Sequence, residues 1–387
     1  MNRRSISTKK VSVLLFSLLA CLNVAMGAVR FTPGFELGFH YPRYLVIHPF
    51  NPGTETGTEW IGEMVSTLGR GSGITRLGIA AVIRTLDWSD AYIQQHVDLF
   101  TSAAEEHDVA LLLHLDSEHF YESRSDLWNW WNASLPGYDP ANAGNVEWSD
   151  WNTPTKKGFL NWGSPIELAP RLCFESAAVR AEISNKCQVI VDRLVPWLDH
   201  LAAIGRSDLF IGIDPGWETG IDSYENVDWV PVTYRHHLGY NALAKRGFNA
   251  TNPPLDIEAE RYDVVHDFAE FEVKTIADKG IPTDKLFTHI WGAESISSAY
   301  HLHAPLGAAF NSYSVPGFSL YGYDRETFAA AVSGKRWALM EAPPADGYGQ
   351  LLSMGTLDVM VLYNWGGNIR NDPAKIEAIK WLLASRY

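Results

Sequence analysis

Residues 209–220 read Leu209-Phe210-Ile211-Gly212-Ile213-Asp214-Pro215-Gly216-Trp217-Glu218-Thr219-Gly220. The first five form a short apolar run with β-formers, and the rest is a turn punctuated by Pro and Gly. The stretch predicts a buried strand, Leu209–Ile213, that empties into a polar loop. An acid that directly follows such a strand is costly to bury unless it faces a polar site. The pattern recurs in Trp337-Ala338-Leu339-Met340-Glu341-Ala342-Pro343-Pro344, where the acid closes the apolar run. At the C-terminal mouth of a barrel, such a site is the catalytic pocket.

Working outward, comparable apolar runs are Phe35–His40, Ile74–Ala80, Val109–Leu115, Leu286–Trp291, Gly317–Tyr321 and Leu357–Leu362. Trp337–Glu341 completes a set of eight. Amphipathic stretches lie between most of them, at Thr58–Leu68, Asp90–His107, Ser176–Ala203, Ile257–Lys279, Arg325–Ser333 and Pro373–Ser385. Eight strands alternating with helices predict an α/β fold, a (β/α)8 TIM barrel. Neither a repeat nor a Pro/Ser-rich linker divides the chain, so residues 28–387 are expected to form a single domain. Two connections are long. The one after strand 3 runs from Asp116 to about Cys173 and is rich in aromatics: Leu127-Trp128-Asn129-Trp130-Trp131-Asn132, Val146-Glu147-Trp148-Ser149-Asp150-Trp151-Asn152 and Asn161-Trp162-Gly163. The other runs from Asp214 to about Pro254. In a barrel both rise from the functional face.

The chain has 387 residues, 46% of them hydrophobic, which is enough for a large core. Its formal charge of −14 excludes a general attraction for nucleic acid or anionic membrane; a polyanion could bind only at a local cluster of Arg, Lys or His. Many of the 15 Trp lie in polar, loop-like stretches, where flat rings can meet the C–H faces of sugars.

The N-terminus reads as an export signal over residues 1–27. Arg3, Arg4, Lys9 and Lys10 precede the apolar run Val11–Leu22, and Ala25 and Gly27 suit cleavage before Ala28. Leu18-Leu19-Ala20-Cys21 offers a second reading, lipidation at Cys21, which alone would tie the chain to a membrane. Ordinary export is favoured because the apolar run continues past Cys21. A fully helical path between Cys173 and Cys187 would separate them by about 20 Å, which argues against a disulfide.

The two acids suggest chemistry. Glycoside cleavage needs one protonated carboxyl to give its proton to the leaving oxygen, and one ionised carboxyl to attack or stabilise the anomeric carbon. In placing its acids after strands four and seven, the chain resembles the clan A glycoside hydrolases, and within them glycoside hydrolase family 42, the β-galactosidase family. Ile211 to Glu218 is similar to that family's fourth-strand segment, and Met340-Glu341-Ala342-Pro343-Pro344 to its seventh. Tyr240 to Lys279 is similar to its loop and long helix. The resemblance spans roughly residues 33–365. It implies a retaining, β-specific mechanism with Glu218 as acid/base and Glu341 as nucleophile, on an oligo- or polysaccharide that contains galactose. The chain departs from the pattern at Trp217, where the clan usually carries an Asn that contacts the sugar 2-hydroxyl. It also lacks the zinc-binding cysteines and accessory domains of many family 42 members.

Other candidates for substrate contact sit at predicted strand ends or on the aromatic loop: Asp116, Glu118, Asp214, Trp217, His289, Trp291, Tyr323, Asn364, Trp365 and Trp130. His40, Arg84, Tyr321 and Tyr363 occupy similar positions. His114 and His119 cluster with Asp116 and Glu118, but no second ligand pair at helix spacing completes a metal motif, so neither metal nor cofactor is expected. The alternatives are a non-catalytic carbohydrate-binding barrel and a metal-dependent hydrolase barrel.

Overall fold

Apolar runs that are buried on both faces become the staves of a parallel barrel. In the computed structural model, which describes residues 42–49, 57–162, 164–291, 302–319, 324–342 and 352–384, the elements run in chain order as follows. Tyr44–His48 (β1), Glu59–Leu68 (α1), Arg76–Arg84 (β2), Asp90–His107 (α2) and Ala110–Asp116 (β3) come first. An insertion follows with Ser125–Trp128 (α3) and an antiparallel hairpin, Gly158–Asn161 (β4) and Pro165–Leu168 (β5). Then come Ala177–Ala203 (α4), Phe210–Asp214 (β6), Ile221–Asp222 (β7), Tyr240–Lys245 (α5), Ile257–Ala277 (α6) and Ile290–Trp291 (β8). Leu302–His303 (β9), Gly317–Ser319 (β10), Arg325–Val332 (α7), Arg336–Ala342 (β11), Thr356–Tyr363 (β12) and Pro373–Ala384 (α8) complete the order. All described residues belong to one unit, Leu37–Tyr387.

Eight strands form one sheet in the order β6-β3-β2-β1-β12-β11-β10-β8, and every pairing in it is parallel. Parallel bridges from Ile213 to Leu286 and from Thr219 to Ile290 bring the two edges together and close the barrel. The predicted (β/α)8 fold is therefore observed. Gly212 sits at this seam, where an added Cβ would lie 2.2 Å from the Lys285 carbonyl oxygen. Only glycine lets the fourth and fifth staves approach so closely.

The expectation for the first stave was wrong. Phe35–His40, and His40 with it, lies outside the described residues, and the position between β2 and β12 is taken by β1. Its residues Tyr44-Leu45-Val46-Ile47-His48 are all buried, so the run shows no polar alternation. The second stave is also displaced, covering Arg76–Arg84, so that Arg84 ends the strand itself.

Side chains divide between two cores. Tyr44, Val46, Ala80, Ala110, Leu112, Ile211, Phe287, Ala338, Met340, Val359 and Val361 pack inside the barrel, contributed by alternate positions of the staves. A larger cluster joins the outer faces of the staves to the helices. Cys173 and Cys187 are both buried and free. No helix among the described residues is long and apolar enough to cross a membrane. The leader, with Cys21, lies outside the described residues.

Candidate active site

Alternation carries each stave from the apolar interior up to a polar layer at the C-terminal mouth. On β3, Ala110 and Leu112 line the interior, and His114 and Asp116 follow on the same side. His48 ends β1, Asp214 ends β6, and Ser319 ends β10; all are buried. On β11 simple alternation would fail, because Met340 points inward and Glu341 should then point out. The strand's pairings slip between Leu339 and Ala342. Such an irregularity re-aims a side chain, and Glu341 meets the mouth.

Glu218 stands on the loop after β6. Its backbone is left-handed, with φ +54°, and the next residue rejoins the barrel through Thr219 N–H to the His289 carbonyl, 2.9 Å. A side chain at Gly216 would collide with Thr219 Oγ1 at 2.6 Å and Glu272 Oε2 at 2.9 Å, so the turn that presents Glu218 needs glycine there. An oxygen of Glu218, an oxygen of Glu341 and a ring nitrogen of His289 all lie within 4.8 Å of one another. The two candidate carboxyls therefore converge.

Their surroundings differ. The Trp217 indole N–H donates to Glu341 Oε2 at 3.0 Å. Trp162 Nε1–H donates to Glu218 Oε2 at 3.3 Å. Trp162 and Trp217 stack on each other with centroids 5.3 Å apart. Glu218 is 1% exposed. Burial first, and then the neighbouring charge of Glu341, push its carboxyl well above the usual range, while hydrogen bonds from Ser319 and Trp162 pull the other way.

Below the pair lies a set of neutral imidazoles around one acid. Asp214 Oδ2 is 3.2 Å from His289 Nδ1 and 3.6 Å from His114 Nε2, and His289 Nε2 lies 2.7 Å from Ser319 Oγ. Burial lowers His48 to about 3 and His289 to about 4, and takes His114 well down. Burial likewise raises Asp214 well above the usual carboxylate range. His114, Asp214 and His289 offer three donor atoms within 4.8 Å of one another, as Glu218, His289 and Glu341 do, and either trio could hold a cation.

A second buried layer supports the loop that carries Glu218. Thr219 Oγ1–H donates to Glu118 Oε1 at 2.6 Å, and Ser117 Oγ–H to Glu272 Oε1 at 2.7 Å. Burial lifts Glu118 to about 8 and takes Glu272 well up, with Glu118 adding to the latter. Asp116 behaves oppositely. Burial raises it, but His119 and the N–H groups of Glu118 and His119 more than offset this and hold it low. Arg171 binds the Glu118 carbonyl at 2.9 Å and pairs with Asp222 at 2.5 Å.

The structure thus brings Glu218, Glu341, Asp214, Trp217, His289, Asp116 and Glu118 to one mouth or the layer beneath it. Trp217 is only 3% exposed and wedged against His48 and His114, so it braces Glu341 rather than offering an open face. Trp291 is half-buried at the end of β8. Trp365 is buried in the packing between barrel and helices. Asn364 Oδ1 accepts the Gly367 N–H at 2.5 Å, capping the turn that follows β12. Trp130 sits on the insertion, with its indole N–H on the Thr155 carbonyl at 2.9 Å. Tyr321 and Tyr323 lie outside the described residues. Trp162, Ser319, His48 and Glu272 belong to the site but were not among the candidates.

No family model matches the chain, and no curated protein does. The family 42 resemblance therefore stays one of short motifs. Among solved structures, the chain is similar to a glycoside hydrolase family 5 enzyme from Prevotella bryantii B14, at 9% identity over 88% of this chain and 96% of that one, with a TM-score of 0.42. A broad-specificity endoglucanase of the same family from an uncultured bacterium aligns at 9% identity over 85% of each chain, TM-score 0.39. A β-mannanase from Streptomyces thermolilacinus, with mannohexaose, aligns at 14% identity over 87% of this chain and 80% of that one, TM-score 0.28. Identities this low and superpositions this loose leave the activity to be argued from the residues.

Proposed function

We propose that the chain is a retaining glycoside hydrolase acting on β-linked sugars of an oligo- or polysaccharide. The observation that carries this reading is that one oxygen of Glu218 and one of Glu341 lie within 4.8 Å of each other at the mouth of the barrel. Retaining enzymes hold their carboxyls about 5–5.5 Å apart, whereas inverting enzymes leave about 6.5–9.5 Å for a water.

Glu341 attacks the anomeric carbon while Glu218 gives its proton to the leaving oxygen. The glycosidic C–O bond breaks, an ester to Glu341 forms, and the leaving sugar departs with the proton. Water then attacks the same carbon, losing its proton to Glu218, and Glu341 leaves as carboxylate. The Trp217 N–H favours the ionised form of Glu341. The charge on Glu341 helps keep the proton on Glu218. Esterification removes that charge, so Glu218 becomes a weaker acid-holder just when it must act as base.

The β linkage and a galactose-containing backbone rest on the resemblance to clan A and family 42. Action outside the cytoplasm rests on the leader, either cleaved before Ala28 or lipidated at Cys21. The trio His114, Asp214 and His289 favours a second reading, a metal-dependent hydrolase.

The test is hydrolysis of a panel of β-linked oligosaccharides and aryl β-glycosides, with the first-formed anomer followed by NMR. Retention is expected. Glu341→Gln should abolish turnover, and Glu218→Gln should lower it about 10²–10⁴-fold on poor leaving groups. Activity should survive dialysis against a chelator. An inverted product, or hydrolysis that survives Glu341→Gln, would overturn the two-glutamate mechanism; loss on chelation would favour the metal reading.

A further inference from the structure

The insertion between β3 and α4 builds a second concavity. A cleft of about 480 Å3 lies where Trp130, the 149–156 turn and residues 233–236 meet. That volume suits a small organic ligand or one to two units of a longer one. Its walls are aromatic and hydroxylic. Trp130 is half-buried, and its plane is fixed by the indole bond to Thr155. Tyr234, also half-buried, packs on Phe159 with centroids 5.4 Å apart. Rigid half-exposed rings beside hydroxyl groups are what a sugar needs, one face for its C–H groups and acceptors and donors for its rim.

The charge of the cleft differs from that of the molecule. The chain carries −14 overall, yet no acid lines this cleft. Lys156 does, with its ammonium 5.4 Å from the Trp130 ring centre. Among the described residues Lys156 makes no ion pair, whereas neighbouring Lys157 is engaged by Glu167 at 2.7 Å. Asp150, on the same turn, accepts from the Asn152 N–H at 2.8 Å and the Thr153 hydroxyl at 2.9 Å, and its charge acts on His236 at the rim of the cleft. His236 lines the cleft with Nε2 placed 2.8 Å from the Thr233 carbonyl, which makes Nε2 a donor to that oxygen.

The cleft shares a chain segment with the partner of Glu218. Lys156 and Lys157 lead into β4, and Trp162, one residue past its end, bonds Glu218. An extended path over those seven residues covers about 20 Å, which is several sugar units.

We propose that this cleft is a remote carbohydrate subsite that accepts a sugar bearing an anionic substituent, a sulfate ester or a carboxylate, with Lys156 on the charge and Trp130 under the ring. The sugar part of this inference rests on the glycosidase reading; the charge part rests on the cleft alone.

The test is direct binding, by calorimetry and on a glycan array, using the Glu341→Gln protein so that no turnover intervenes. The probes are β-linked galactose, glucose, mannose and xylose oligosaccharides in neutral, O-sulfated and uronate-bearing forms. Charged members should bind more tightly than their neutral counterparts. Adding Lys156→Ala should weaken the charged ones about three- to tenfold and leave the neutral ones unchanged. Trp130→Ala should weaken both. Desulfation or carboxyl reduction of the bound probe tells which anion is read. Equal binding of charged and neutral partners, no binding of any charged probe, or insensitivity to Lys156→Ala would overturn the proposal. Lys156 is exposed, so its removal should leave unfolding unchanged. Binding of charged glycans by a wild-type protein that hydrolyses nothing would keep the cleft and defeat the glycosidase reading; hydrolysis of neutral glycans with indifference to charge would do the reverse.

Discussion

Trp162 and Trp217 stack on one another, yet each gives its N–H to a different carboxyl, Trp162 to Glu218 and Trp217 to Glu341. A donor to a carboxylate stabilises its ionised form. In the proposed mechanism Glu341 attacks as a carboxylate, so there the donor helps. Glu218 begins protonated in it, so there the donor opposes the effect of burial. Trp162→Phe keeps an apolar ring but deletes the donor, so it should raise the Glu218 pKa further. The acid form then persists to higher pH, and the alkaline limb of kcat/KM should move up while the optimum rate falls about tenfold, the worth of one hydrogen bond to a charge. A pH–rate profile whose alkaline limb stays put or moves down would show that Trp162 does not set this proton. The meeting of Glu218 and Glu341 was legible because Glu341 closes an apolar run and Glu218 stands on the polar loop into which another one empties, four residues past Asp214. Trp162 was not, because it reaches Glu218 from an insertion 56 residues upstream. Ser319 is a small hydroxyl inside a buried run, with nothing in its neighbours to mark it. Glu272 could have been found: it falls four residues after Phe268 and four before Ile276, both buried on the same face of α6.

At the scale of elements, the staves were legible wherever apolar runs had clear Gly, Pro or polar borders, and the error came at the first. Phe35–His40 shows the alternation of a half-buried strand, but a parallel barrel buries both faces, and the continuous run Tyr44–His48 is the better stave. That error also hid His48, whose ring meets His114 and Trp217. Nor could spacing reveal the slip in β11 that turns Glu341 inward, since it depends on pairing with β10 and β12. The seam between the fourth and fifth staves has a sharper sequence requirement. Gly212→Ala would drive a Cβ to 2.2 Å from the Lys285 carbonyl and 2.7 Å from the Phe287 ring. Backbone cannot yield there without parting the two staves, so the substitution should cost about 3 kcal/mol, the upper end for overpacking. Urea unfolding measures this. A loss below about 1 kcal/mol would mean that the barrel does not close at Gly212.

For the molecule as a whole, the buried titratable groups store two opposing responses to pH. Five histidines are held neutral by burial: His48 and His96, lowered to about 3 and about 4, His289 to about 4, and His114 and His119, also lowered. A base whose folded pKa is depressed gives stability that is present above its ordinary 6.5 and lost as pH falls toward the folded value. Buried acids do the opposite. Glu118 and Glu147 rise from 4.5 to about 8 and about 7, and Asp214, Glu218 and Glu272 rise as well, all chiefly by burial. Their contribution is complete below about 4.5 and is lost as pH climbs through the folded values. Between roughly 5 and 6.5 the two sets oppose each other, so stability should be broad-topped there; above 6.5 the imidazoles are neutral in both states and only the acids tilt the balance. The urea midpoint should therefore fall between pH 6.5 and 8. Glu118→Gln keeps an acceptor for the Thr219 hydroxyl but has no proton to lose, so it should flatten that fall and leave the loss below pH 5 untouched. An equal fall in both proteins would mean that Glu118 is already ionised in the folded state, balanced by the buried guanidinium of Arg171, and that the layer under Glu218 is held by charge instead of by a retained proton.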